Sequence, residues 1–192
     1  MSTTPQNKIK YGLEKVAFAV ATMAANNSAT YGTPIMCPGA RSLSLEAQGE
    51  QTKWWADNIA YYIIDDNNGY EGDLEVARFP DEVLAAIWNI AKAANGISYE
   101  DADMEAVHFA LLFEFSGDQH KTRHVMYNCT ATRPSVASAT REDTTEPQTE
   151  TCTITATSVY VPALDKNVNR GFCMPDDAAY ADFYEAVVLP SV

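Results

Sequence analysis

Between residues 149 and 158 the chain alternates Thr149, Thr151, Thr153, Thr155 and Thr157 with Glu150, Cys152, Ile154, Ala156 and Ser158. A period of two sends each set to one face of a β-strand. Threonine favours strand geometry while its hydroxyl meets water or a polar neighbour. The strand is therefore expected to be half-buried, with its threonine face wet or set against a partner. The same period recurs over residues 40–47, where Leu43, Leu45 and Ala47 alternate with Ser42, Ser44 and Glu46, which predicts a strand with one face in the core. Residues 8–22 read as a strand built on Tyr11, Leu13, Val16, Phe18 and Val20, and residues 26–32 as a turn. A polar excursion over 49–57 carries Trp54 and Trp55. Strand patterns at 58–64 and 69–79 follow, joined as a hairpin by Asp65-Asp66-Asn67-Asn68.

Pro80 opens a helix expected over about 80–93. Asp81 and Glu82 sit in its first turn, Val83, Leu84, Ile87, Trp88 and Ala91 form its apolar stripe, and Asn95-Gly96 is the predicted stop. Residues 108–115 (HFALLFEF) are apolar on both faces for most of their length, which predicts a central strand, and 123–130 returns across a Gly117-Asp118 turn. A loop at about 131–147 then lacks apolar periodicity, and a loop of that length in a compact domain is usually functional or disordered. A short helical pattern at 176–188, with Asp176 or Asp177 as N-cap, ends the reading. Strands dominate and do not alternate with helices, so the expected fold class is mainly β (α+β), an antiparallel sandwich or barrel-like architecture with one or two flanking helices.

Composition narrows the function. The 192 residues suffice for one domain with a proper core, and a net charge of −13 argues against a protein that grips nucleic acid through clustered Lys and Arg. Cys37, Cys129, Cys152 and Cys173 have neither CxxC nor zinc spacing, so they read as small buried thiols. Pairing the two strands that flank the long loop would put Cys129 near Thr149 and Cys152 near Met126, a register that disfavours a disulfide. Residues 16–25 follow Lys8, Lys10 and Lys15 in imitation of a signal peptide, but a first buried strand is the preferred reading. No run approaches the roughly 18 apolar residues of a membrane helix.

Catalytic and cofactor signals are weak. His120 and His124 lack the glutamate of an HExxH motif, and Asp65-Asp66-Asn67-Asn68-Gly69 misses calcium-loop spacing. No nucleophile elbow, phosphate loop or dinucleotide fingerprint occurs, so neither catalytic nor metal- or cofactor-binding residues are assigned and no enzyme is expected.

Nine stretches in order carry a more specific signal: Lys10-Tyr11-Gly12-Leu13; Tyr31-Gly32-Thr33-Pro34 with Pro38-Gly39-Ala40; Ala56-Asp57-Asn58-Ile59 with Asn67-Asn68-Gly69-Tyr70; Pro80-Asp81-Glu82; Phe109 to Phe115; Tyr127 to Pro134; and Glu146 to Thr151. Over residues 8–158 the chain resembles the major tail, or tail tube, proteins of long-tailed phages and prophages of Gram-positive bacteria. The resemblance implies a non-enzymatic virion protein without cofactor. Such a protein is expected to assemble with itself as hexameric rings stacked into a tube, in the virion tail and, during assembly, in the host cytoplasm. It also implies tape measure, terminator and distal tail proteins as partners, DNA passing without specific binding, and no membrane. Residues 159–192 match the pattern least.

Within that frame Glu71, Asp73 and Glu75, alternating along 69–79, are the candidate channel-lining residues, against an outer solvated face as the alternative. Trp54 and Trp55 in the excursion, and Arg133, Arg141, Glu142 and Asp143 in the long loop, are candidate contacts between subunits or rings. The tryptophans could equally be core. A secreted or surface β-sandwich adhesin is the competing function, and it requires residues 16–25 to be a cleaved signal.

Overall fold

The computed structural model describes residues 11–138 and 148–191. Its strands in chain order are β1 Leu13–Met23, β2 Ala29–Tyr31, β3 Ile35–Met36, β4 Ala40–Gln48, β5 Gln51–Ala56, β6 Ile59–Asp65 and β7 Gly69–Val76. After the helix α1, Asp81–Trp88, come β8 Ala91–Lys92, β9 Ser98–Tyr99, β10 Phe109–Phe115, β11 Arg123–Ala131, β12 Glu150–Thr157, β13 Val159–Val161, β14 Lys166–Val168 and β15 Arg170–Cys173. One antiparallel nine-stranded sheet dominates, in the order β2-β1-β10-β11-β12-β7-β4, with β3 on β1 and β15 on β11. The mainly β, antiparallel expectation holds.

The sequence pattern of each strand matches its place in the sheet. The central strands β1, β10 and β11 are covered on both faces. Phe18, Phe109 and Leu111 pack inward with Leu74, Val76 and Ile154. On the opposite face Ala17, Ala110, Leu112 and Val125 meet Val159, Val161 and Phe183. A strand buried on both faces must be apolar throughout, as residues 109–113 are. The strands β4, β7 and β12 alternate because only one of their faces meets the core. Val83, Ile87 and Trp88 of α1 close one side of that core, with the Trp88 ring edge-on to Phe79 and its Nε1 donating to the Thr132 carbonyl at 2.9 Å.

The chain beyond β15 lies over the second face. Residues 178–180 make one 3-10 turn, and Asp177 at its start accepts a bond from the Met174 amide through its carboxylate. Arg123 fastens this segment. Its guanidinium lies 3.7 Å from the Tyr180 ring centre and 5.0 Å from that of Tyr184, donates to the Tyr180 carbonyl, and pairs with buried Glu114, which Lys15 also contacts. Tyr127 donates to the Val188 carbonyl at 3.0 Å and Tyr180 to the Lys121 carbonyl at 3.1 Å.

Several expectations are corrected. The helix stops at Trp88 because Asn89 turns left-handed (φ 49°), and Asn95-Gly96 instead turns the small β8–β9 hairpin. Three residues of the turn expected at 26–32, Ala29–Tyr31, are β2, paired to the end of β1. The short C-terminal helix is reduced to the 3-10 turn. Strand β6 does not pair with β7: it pairs with β5, and the turn between them is Asp57-Asn58. The excursion expected at 49–57 is therefore mostly strand. The pairing of β11 with β12 places Cys129 opposite Ala156, and Cys152 opposite Leu74 of β7. The register moved because residues 132–135 run back along β12, with the Thr132 and Ser135 amides donating to the Thr153 and Thr151 carbonyls. Cys37, Cys129, Cys152 and Cys173 are buried free thiols. Val16, Ala17, Phe18 and Ala19 lie fully in the core of the central strand β1, which removes the signal-peptide reading of 16–25 and with it the adhesin's requirement.

Candidate assembly surfaces

The face of β4, β7 and β12 turned away from the core is polar and ordered in rows. Because β7 pairs with both neighbours, Glu75 lies between Ser42 and Thr151, Asp73 between Ser44 and Thr153, and Glu71 between Glu46 and Thr155. Hydroxyls tie down two of these carboxylates. Thr149 donates to Glu75 at 2.5 Å, Ser42 to the other Glu75 oxygen at 3.0 Å, and Thr153 to Asp73 at 2.8 Å. Arg41 adds an ion pair to Glu75 at 2.7 Å. The Thr149 bond, followed by Ser42 and Arg41, holds the Glu75 carboxyl below the usual carboxylate range.

All three predicted acidic residues thus share one face with the threonine row, an outcome of the β7–β12 pairing. Glu46 joins them and was not singled out from the sequence. Its signal was there, in the Ser42, Ser44, Glu46 alternation, but assigning it to this face requires the β4–β7 pairing. Glu46 directly opposite Glu71 sets like charges side by side, an arrangement that costs stability in a sheet.

The second surface is the β5–β6 ribbon. Asp57 and Asn58 both take positive φ (52° and 62°), the two-residue turn whose twist matches a hairpin. The ladder continues into the body, with the Asp66 amide donating to the Glu50 carbonyl at 3.1 Å and that of Asn68 to the Gln48 carbonyl at 2.9 Å. Gly49 permits this junction, since a Cβ there would sit 1.9 Å from the Asp66 carbonyl oxygen. In both strands of the ribbon every residue except Ala56 is exposed. Trp54 and Trp55 are 67 % and 64 % exposed, so they are not core.

In the predicted long loop, Arg133 pairs with Glu100 of the same chain at 2.5 Å, so its charge is already met within the subunit. Arg141, Glu142 and Asp143 lie outside the described residues. The histidines have structural surroundings: the His124 ring stacks on Phe113 at 5.3 Å, the His120 amide donates to Asp118, and His108 Nδ1 lies 2.7 Å from Asn128 Oδ1. Among the described residues no group of three or more His, Cys, Asp or Glu side chains comes together as a metal site.

Comparison with curated proteins finds no match. A family model described as phage tail tube protein matches residues 4–186, nearly the whole length, and the chain therefore belongs to the phage tail tube proteins, the non-enzymatic structural proteins of the virion tail.

Proposed function

We propose that the subunit assembles into stacked hexameric rings with the β4–β7–β12 face turned to the channel, so that the tube presents DNA with a fixed acidic wall. The observation that carries this reading is the set of rows just described, in which Glu71, Asp73 and Glu75 stand between Ser, Thr and Glu46 partners on the two flanking strands. Six copies at −13 give −78 per ring. Only the part of that charge within about 8 Å of the duplex acts on it through physiological salt, so the placement of carboxylates on the wall matters more than the total. Asp73 and Glu75, held by hydroxyl donors, repel phosphate without swinging out to bind anything. Tape measure, terminator and distal tail proteins are the further partners of this reading, meeting the tube inside and at its two ends.

The two tryptophans of the ribbon are the proposed anchors between subunits, together with the loop at 131–147. Large exposed aromatic rings are the residue type that dominates the energetics of protein contacts. Replacing Glu71, Asp73 and Glu75 together by lysine tests the channel assignment. Tubes should still assemble, because the three side chains face away from the core, while DNA ejection slows. Unchanged ejection from such tubes would reject the orientation.

A further inference from the structure

We propose that the β5–β6 ribbon is a two-sided bridge that seats one further copy of this chain against the Trp54 face and a different copy against the Trp55 face. The proposal rests on the ring reading above and adds to it the valency of one arm.

Cross-strand pairing sets Trp54 opposite Tyr62 and Thr52 opposite Ile64, and on the other face Lys53 opposite Ile63, next to Trp55. Trp54 pairs with Tyr62 and Trp55 with Ala60, so the ladder bulges between them with Tyr61 of β6 as the extra residue; β5 itself has no insertion, and its adjacent residues Trp54 and Trp55 point to opposite faces. A ribbon docked on one partner needs one apolar face and leaves the other polar. Here the two faces carry one tryptophan each, nearly equally exposed at 67 % and 64 %, and Ile63 and Ile64 repeat the pattern at 46 % and 43 %. Among the described residues, no part of the subunit's own body covers either face.

Size and charge point to copies of the chain as the occupants. The rings of Trp54, Trp55, Tyr61 and Tyr62, at roughly 150–250 Å² each and about two-thirds exposed, present on the order of 400–650 Å². That already matches the largest apolar patch of a typical monomer, roughly 300–600 Å², before Ile59, Ile63 and Ile64 are added. Split over two faces, each share falls short of the roughly 800 Å² per partner of a standard stable interface, so each face is one part of a composite contact. Lys53 and Asp57 cancel between residues 51 and 64 and Asp65 stands at the base of β6, so the aromatic outer part of the ribbon carries no net charge on a chain of net charge −13. Acidic copies repel one another over the rest of their surface, and a neutral aromatic arm is where they can approach.

The test places a photo-crosslinking phenylalanine derivative at position 54 in one variant and at 55 in another, within assembled tubes. Both positions should link to a second copy, and the two captured peptides should not overlap. Capture of the same peptide from both positions, or no interchain product from one of them, overturns the bridge. In parallel, Trp54→Ser with Tyr62→Ser, and separately Trp55→Ser with Ile63→Ser, should each lower tube yield by about tenfold or more while leaving the monomer's melting curve unchanged. Wild-type yield from either pair also overturns it. Tubes of the crosslinker variants that give overturning crosslinks remove the bridge alone, whereas a wild-type chain that never forms tubes removes the ring reading and the bridge with it.

Discussion

Replacing Arg123 with methionine keeps most of the side-chain volume and removes the charge. The Arg123 side chain is 15 % exposed, and its Nε lies 3.4 Å from the carboxylate of Glu114, whose side chain is 6 % exposed. Breaking a buried pair by deleting one partner costs about 3–5 kcal/mol when nothing else compensates the survivor. Lys15, half exposed, still reaches Glu114, so the charge contribution falls toward about 1–2 kcal/mol. Loss of the stacking on Tyr180 and Tyr184 adds roughly 0.5–1 kcal/mol. Loss of the bond to the Tyr180 carbonyl adds about 1 kcal/mol. The sum is about 3 kcal/mol, or a melting temperature lower by roughly 6–12 °C for a chain of this size. Urea titration of the purified monomer measures the first and a circular-dichroism melt the second. Since Arg123 holds the segment that carries Phe183, chymotrypsin should cut the variant at Tyr180 or Phe183 well before it cuts the wild type. A stability loss under about 1 kcal/mol, with an unchanged cleavage pattern, would refute the view that one arginine fastens this segment.

Two further outcomes follow from the same structure. Thr149→Val removes the largest cause of the depressed Glu75 carboxyl, so that carboxyl should titrate closer to the usual range in carbon-detected NMR. A depressed carboxyl contributes stability above its unfolded value that is lost as pH falls through the folded one, so the variant should show less of this acid-side loss. Burial raises the Cys37 thiol to about 11 and the Cys152 thiol to about 12. A raised thiol contributes stability that is fully present below the ordinary value of 9.0 and is lost as pH rises toward those folded values. Denaturation midpoints should therefore fall above pH 9, and a serine at either position should change the slope there.

Local pattern carried much of the fold. The alternation at 40–47 and 149–158 and the apolar run at 109–113 each matched the burial their strands acquire, because periodicity reports directly how many faces are covered. What failed was pairing. Two turn-like stretches, Asp57-Asn58 and Asp65 to Asn68, compete within the same ribbon, and the lysine and paired tryptophans before the first disguised a strand as a polar excursion. Two residues flanked by WWA and IAYY were the better hairpin signal. The acidic face was legible one strand at a time, as Glu71, Asp73 and Glu75 in one place and threonines in another. That they share a surface depends on β7 pairing with strands far away in the sequence, β4 and β12, and no local pattern encodes such contacts.

The fastening of the last described residues has a consequence for sequence drift. Arg123 and Tyr127 grip carbonyl oxygens of Tyr180 and Val188, and Tyr180 in turn grips that of Lys121. A main-chain oxygen is the same whatever side chain it accompanies. Between those grips, substitutions at exposed positions such as Asp182 and Glu185 leave the hold unchanged provided an apolar group stays at 183. The segment that matched the sequence pattern least can therefore change its outward face from one relative to the next while staying seated on the same strands.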